Sequence, residues 1–437
     1  MTGGRSLRQE LTAADAVSLV VGCMVGAGIF LTPAVVASEV GSPPRVLAVW
    51  IVAGALAFLG GLAYAELGAM FPRAGGQYVY LREAFGPRTA FLYGWTLLLV
   101  IQTGTAAAIA TGFATYLDYF VPLGPWGLRA VAAGLLLALT ALNARGVKHG
   151  AWIQNTFTAA KVLAIGALVV ACLSRPAVPS APAPPTSSLA AGVAALAAAF
   201  FSYDGWNFVT FASGEMKDPR RTLPRGLLAG IGASVLIYVV LNLAFLRVLP
   251  FADLAKSPRV ATDALHAAIG DRGAALVAAA VMISTFGSAN GCVLGGARVY
   301  YAMGVDGVLP RPLARLSTRG TPVVALALQG VWGASLALTG SFGALFTYAI
   351  SSAWLWYGIT GIAVFVMRAK RPDADRPVRA WGHPVTTFAF VAFALGFCAL
   401  QIASGSSAAL KGFALVLLGL PLYWIFQWSF QRASAPR

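Results

Sequence analysis

Two stretches of an otherwise apolar chain bring together residue types that could bind a small polar molecule: Val25-Gly26-Ala27-Gly28-Ile29-Phe30 and Phe201-Ser202-Tyr203-Asp204-Gly205-Trp206-Asn207. Both read as interruptions of helices. In hydrocarbon an open backbone is tolerated only where protein buries it or a wet cavity adjoins it, so breaks at matching places in two halves point to a binding site. A half-helix beginning near Ile29 leaves the N–H groups of Gly26, Ala27 and Gly28 without intrahelical acceptors, beside the positive end of the helix dipole, which suits a carboxylate. Glycine lets the backbone turn there and lets a ligand approach. The half-helix ending near Met24, and the second break from Phe201 to Asp204, free carbonyls that can accept from an ammonium group. Donors for a carboxylate beside acceptors for an ammonium describe an α-amino acid. Gly26 and Gly28 would equally permit close helix packing, and on the glycines alone both uses stay open.

Two charged residues sit where charge is expensive. Lys161 lies about ten residues into an apolar run, where a lysine costs about 2.5 to 3.5 kcal/mol, so either a partner compensates it or its long stem snorkels to the interface. Asp204 could bind a cationic side chain, relay protons, or cap the half-helix that starts after Gly205; capping is the preferred reading. Glu66 and Asp15, near the ends of apolar runs, read as interfacial charges that pair with Arg or Lys. Nothing resembles a catalytic constellation. His149, His266 and His383 are far apart, no nucleophile stands beside a base, and no metal-ligand spacing or cofactor motif occurs. Cys23, Cys172, Cys292 and Cys398 all fall within apolar runs and read as packing residues. An enzyme is not expected. A sensor is not expected either, because residues 1–13 and 431–437 are short for a signalling segment.

The elements that must position these residues follow from composition. The 437 residues are 58% hydrophobic and only 11% charged, about half the charged share of a soluble globular protein. Apolar runs long enough to cross hydrocarbon recur at residues 14–38, 44–70, 89–117, 125–143, 151–173, 189–213, 226–248, 273–303, 322–340, 343–367, 384–403 and 409–430. The fold class expected is an all-α membrane protein with twelve transmembrane helices. The first run is too long, and too interrupted, for a cleavable signal. The net charge of +16 reflects topology and not a nucleic-acid partner. Of 31 Lys and Arg residues, 22 fall in segments on one side, and Arg45, Arg129, Arg175, Arg247, Lys256, Arg259, Arg272 and Lys411 on the other. The positive-inside rule then places both termini in the cytoplasm. A Pro-rich stretch at 174–188 reads as an external connector between two five-span units, 14–173 and 189–367, with two further helices over 384–430. Five being odd, the second unit is inverted relative to the first. The segment from Phe71 to Arg88 reads as a helix at the inner interface.

Several ordered motifs resemble the L-type amino-acid transporters, the branch of the amino-acid/polyamine/organocation superfamily that includes the light chains of heteromeric transporters. They are Gly26-Ala27-Gly28-Ile29-Phe30, Tyr64-Ala65-Glu66-Leu67-Gly68 with Phe71-Pro72-Arg73-Ala74-Gly75-Gly76-Gln77-Tyr78, Thr158-Ala159-Ala160-Lys161, the stretch from Phe201 to Asn207, Glu215-Met216-Lys217-Asp218-Pro219, and Phe286-Gly287-Ser288-Ala289-Asn290-Gly291. The resemblance covers residues 14 to about 310, and the last two spans match only in hydropathy. It implies a five-plus-five inverted repeat with broken first and sixth helices and a substrate between the first, third, sixth, eighth and tenth. It also implies roles. Ala27 and Gly28 would hold the carboxylate through main-chain N–H, with Gly26 at the turn, and the carbonyls of Met24, Phe201 and Asp204 would take the ammonium. Phe201 would be an outer aromatic gate. Lys161 would stand in for the sodium ion of related transporters, bound to carbonyls around residues 22–25 and to Ser284 or Ser288, though its proton could instead be the coupling ion. Members of the family often carry Asp or Gly at position 204, so its acidity does not select cationic substrates.

The chain departs from the animal light chains in lacking a cysteine between Asp118 and Trp126, so no disulfide to a heavy chain is expected and it resembles bacterial members that act alone. Ala353, before Trp354, stands where some members for large substrates have a polar residue. The expectation is a sodium-independent, alternating-access antiporter of free neutral L-amino acids such as alanine and serine in the cell membrane. The alternative is a proton-coupled carrier of broader or cationic specificity.

Overall fold

The computed structural model describes residues 11–73, 75–145, 150–179, 188–317 and 321–434, with the side chains of 150–154 and 426–434 not described. Arg5, Arg8, Ala74, Lys148, His149, residues 180–187 of the Pro-rich connector, Arg319, Arg432 and Arg437 lie outside the described residues or side chains. Among the described residues helix accounts for every regular element except one bridge, in which Leu11 N–H donates to Glu215 O at 2.9 Å and Lys217 N–H to Leu11 O at 2.8 Å.

The elements run α1 (Ala13–Met24), α2 (Gly28–Val40), α3 (Pro43–Met70), α4 (Gln77–Phe85), α5 (Pro87–Thr96), a π turn (Leu97–Ile101), α6 (Gln102–Leu117), α7 (Gly124–Ala144), α8 (Gly150–Leu173) and α9 (Leu189–Tyr203). A 3₁₀ segment (Trp206–Glu215) follows, then α10 (Pro219–Val248), α11 (Phe251–Lys256), α12 (Val260–Ile269), α13 (Asp271–Val305), α14 (Val323–Thr339), α15 (Phe342–Lys370), α16 (Val385–Ala403) and α17 (Ser407–Ser434). Proline opens α3, α5, α7 and α10, where its missing N–H costs nothing. Ser188 and Ser341 cap α9 and α15 with their hydroxyls.

Among the described residues ten helical stretches are long and apolar enough to cross a membrane, and α1 with α2 makes an eleventh, bent by 47°. The ninth expected span falls on α14, an apolar helix of 17 residues. The sequence left 249–272 unassigned; α11 and α12 occupy it and pack on α2 and α13. Two groups of helices meet around the first and sixth spans. In one, α1, α2, α3, α9 and α10 pack together; in the other, α6, α7, α13 and α14. Along its length α15 touches α3, α6 and α9.

Asp15 departs from the interfacial ion pair expected of it, and Glu66 pairs with arginines as expected but in a buried setting. Asp15 completes a capping box with Thr12 at the start of α1 and accepts from Asn155 Nδ2 at 2.6 Å. Glu66 is buried, 1% exposed, at the end of α3. It receives a two-pronged Arg368 at 2.9 and 2.7 Å, Arg376 Nε at 3.6 Å, and the N–H of Ala380 at 2.7 Å. Arg376 in turn donates to the carbonyls of Met367, Arg371, Pro372 and Ala374, so the segment between α15 and α16 is wound around two buried charges. A carboxylate lost from such a cluster leaves the Arg368 guanidinium and the Ala380 N–H without the acceptor they share. Glu66→Ala is therefore expected to lower stability by about 3 to 5 kcal/mol, seen as a large fall in the melting temperature of the detergent-purified protein, with Glu66→Gln falling less.

Candidate functional site

At the first break α1 stops at Met24 and α2 starts at Gly28. Val25 N–H still reaches Val21 O at 2.8 Å, and Gly26 N–H folds back onto Met24 O at 2.7 Å. The N–H groups of Ala27 and Gly28 find no backbone acceptor among the described residues, and no side chain caps α2. That is the donor arrangement of a bare helix N-terminus. At the second break α9 ends at Tyr203, Asp204 is extended, and Gly205 takes φ +92°, a left-handed turn suited to glycine. The chain resumes as the tighter 3₁₀ segment.

The two breaks abut crosswise. A Cβ on Gly28 would lie 2.7 Å from Ser202 Cα, and one on Gly205 would lie 3.3 Å from Cys23 Cβ. The start of α2 thus meets the end of α9, and the end of α1 meets the turn before the 3₁₀ segment. Thr32 and Ser202 hydroxyls hydrogen-bond at 2.7 Å. Tyr238 of α10 points its hydroxyl at both breaks, 2.5 Å from Met24 O and 2.8 Å from Ser202 O.

Between the breaks lies a small cavity, with room for about one water molecule in this conformation. Met24, Gly26, Ala27, Gly28, Phe201 and Asp204 all line it, joined by Cys23, Gly205 and Phe208, by Thr105 and Ile109 of α6, and by Cys292 of α13. The carbonyls are not equally free. Met24 O already accepts from Tyr238 Oη and Gly26 N–H, and Phe201 O accepts from Asp204 N–H at 3.3 Å. Asp204 does not cap the next segment. The N-cap there is Gly205, and the Asp204 carboxylate turns instead to Tyr357 Oη of α15, which donates at 2.5 Å. Gly205, at its positive φ, turns the chain directly after Asp204. Phe201 packs its ring against Phe342 and Phe346, centroids 5.7 and 5.5 Å away. The tenth span shapes the site through Tyr357, Phe342 and Phe346, whereas Ala353 is buried outside the cavity lining.

Lys161 lies beside this cavity and not in it. It is 7% exposed, so its ammonium does not snorkel. Nζ donates to Gly22 O at 3.1 Å, to Val25 O at 3.3 Å and to Ser288 Oγ at 3.1 Å, which uses all three of its protons. Ser284 Oγ adds a second bond to Val25 O at 3.3 Å. The fifth span is thereby tied to the unwound end of α1 and to α13. Sequence reasoning passed over Tyr238, Tyr357 and Thr105, and read Cys292, which lines the cavity, as a packing residue. The signal for the tyrosines was a hydroxyl inside an apolar run, which must find a partner in hydrocarbon.

The amino acid permease family model matches residues 11–426. The chain belongs to the amino acid permease family. Among its relatives, b(0,+)-type amino acid transporter 1 of Mus musculus is 31% identical over 99% of this chain and 91% of its own length. The Homo sapiens protein of that name is 32% identical over 86% of this chain and 79% of its own. Large neutral amino acids transporter small subunit 2 of Homo sapiens is 32% identical over 97% and 81%. This permease is a multi-pass membrane protein that transports amino acids, and it is not an enzyme. Among the described residues no group of three or more His, Cys, Asp or Glu could hold a metal ion, and all four thiols of the permease are free.

Contact between the breaks sets a sharp test. Gly28→Ala forces its methyl against the Ser202 backbone and is expected to abolish amino-acid uptake, while Gly166→Ala, with nothing within 4 Å of the added methyl, is expected to transport at the wild-type rate in the same vesicles.

Proposed function

We propose that this permease is a sodium-independent, alternating-access exchanger of small neutral L-amino acids, alanine and serine foremost. The observation that carries the reading is the Lys161 ammonium, whose three hydrogen bonds join the first break to Ser288 of α13. A fixed cation there supplies the positive charge that a mobile cation would otherwise bring, so transport runs without one. The substrate sits in the cavity between the breaks, its carboxylate on the N–H groups of Ala27 and Gly28 with Gly26 at the turn. Its ammonium is taken by carbonyls of the two breaks, those of Met24, Phe201 and Asp204, after rearrangement of the bonds they now make. Phe201, seated on Phe342 and Phe346, closes the outer side. Small size follows from the cavity, whose walls at Ala27, Gly28 and Gly205 are main chain and whose remaining walls include Ile109, Phe201 and Phe208.

The two five-span units, 14–173 and 189–367, form an inverted repeat with the helices over 384–430 outside it. The protein resides in the cell membrane with both termini cytoplasmic, and it works without a disulfide-linked heavy chain, since all four cysteines are accounted for within helices. A second reading, proton-coupled transport of broader or cationic amino acids, is favoured by one feature, the Asp204 carboxylate at the cavity wall in a hydrogen bond to Tyr357.

Purified protein in liposomes separates the two. Exchange is expected to show uptake of labelled alanine that depends on internal amino acid and is unchanged when sodium is replaced by choline; acceleration by an inward proton gradient with empty vesicles supports the second reading instead. Lys161→Ala is expected to lose nearly all transport, whereas Cys172→Ala, whose thiol faces Ala264 O on the far part of α8, retains it. Equal wild-type rates for both would remove Lys161 from the mechanism.

A further inference from the structure

We propose that the cavity opens, towards the side of the membrane on which α1 begins, along a polar seam between α1 and α8 that is built to part in water. The inference rests on the reading that substrate occupies the cavity between the breaks. Three rungs make the seam. Asn155 Nδ2 donates to Asp15 Oδ1 at 2.6 Å, Thr158 Oγ1 donates to Ser18 O at 3.3 Å, and Lys161 Nζ donates to Gly22 O at 3.1 Å. Positions 15, 18 and 22 fall on successive turns of α1, and 155, 158 and 161 on successive turns of α8, so the rungs follow the two helices in step. They run from the half-buried Asp15 and Asn155 to Thr158 and Lys161, 5% and 7% exposed. The last rung ends at Gly22, and the next two residues, Cys23 and Met24, line the cavity. Parting the seam would therefore extend the cavity to the aqueous side.

A helix contact that stays shut in hydrocarbon has no need of a carboxylate, a carboxamide and a hydroxyl in a row, because each is expensive to keep there. Such groups suit a surface that is wetted during part of the cycle. The opposite face of α1 makes the other kind of contact. Ala16 and Val20 are fully buried against α10, where Gly226 and Gly230 lack the Cβ that would lie 2.3 Å from Ala16 Cβ and 2.5 Å from Val20 Cβ. Just ahead of α1, the main chain of Leu11 is bonded to Glu215 and Lys217 at the end of the sixth span. Apolar contact loses its whole stabilisation when water enters, whereas a hydrogen bond near water exchanges its partner at small net cost. α1 thus keeps to α10 and the sixth span and separates from α8.

The test uses the full-length protein with Cys172, Cys292 and Cys398 replaced by alanine, which leaves Cys23, partly exposed at the deep end of the seam, as the reporter. In sealed vesicles of known orientation a membrane-impermeant maleimide is offered from one side or the other. Cys23 is expected to label from the side bearing the N-terminus, and alanine to slow the labelling. Asn155→Asp, which sets two carboxylates across the first rung, is expected to raise that rate roughly five- to tenfold, the loss of about one net hydrogen bond. Asp15→Asn combined with Asn155→Asp restores a carboxylate–carboxamide pair and is expected to bring the rate back towards the starting value. In a chain without the four native thiols, Asp15→Cys with Asn155→Cys joined by a short bis-methanethiosulfonate is expected to lose at least about tenfold of its alanine exchange and to regain it with dithiothreitol; this arm also decides the matter where Asn155→Asp fails to fold. Undiminished exchange in the cross-linked protein overturns the seam, as does a Cys23 labelling rate that neither Asn155→Asp nor the exchanged pair alters. Labelling that alanine does not slow, in a chain whose variants shift the rate as expected, removes the reading of the cavity and not the seam.

Discussion

Peptide groups cannot be left unmatched in hydrocarbon, and this permease opens its backbone there twice. Its structure is arranged around that constraint. The breaks are set against each other, and residues from three further spans reach in to satisfy them: Lys161 from α8, itself held by Ser288, Tyr238 from α10, and Ser284 from α13. What these residues leave unmatched, the N–H groups of Ala27 and Gly28, borders the cavity. The polar surface offered to a ligand is thus backbone that the breaks expose and their neighbours do not occupy.

One helix reaches both sides of the cavity without lining it. From its start, α15 supplies Phe342 and Phe346 to Phe201; further along, Tyr357 holds Asp204, and the Trp356 carbonyl and Thr360 hydroxyl hold Gln77 at 3.1 and 2.9 Å. Gln77 also accepts from Asn207 at 3.3 Å. The short helix α4 therefore connects the 3₁₀ segment to α15, and its Tyr78 and Arg82 bind Asp306 at the end of α13. Gly76, with φ +48°, lets α4 start directly on Thr210. Movement of the sixth span is in this way linked mechanically to α15 and to the scaffold around α13.

Much of this was legible in the sequence, for a physical reason. A helix break in a membrane needs glycine and tolerates an acid or an aromatic beside it, so Gly26 to Gly28 and Asp204 to Gly205 announce themselves against an apolar background. A lysine ten residues into a span announces that acceptors must lie near it. The spans follow from length and hydropathy, except where α14 is short and where α11 and α12 are too brief to show a pattern. What stayed hidden depends on three-dimensional neighbours. Asp204 reads as a cap because capping is local, yet it pairs with Tyr357, 153 positions on. Glu66 looks like an edge charge until the loop after α15 is seen to fold over it.

The contact between Gly28 and Ser202 bears on how such a chain can change over time. A clash between two side chains can be relieved by shrinking the partner, and a lineage can drift through compensating pairs. Here the nearest atom to the missing Cβ includes the Cα of Ser202, which every residue possesses. No exchange at 202 makes room, so position 28 has no second-site suppressor in its neighbour, and the crossing of the breaks is inherited as an all-or-nothing trait.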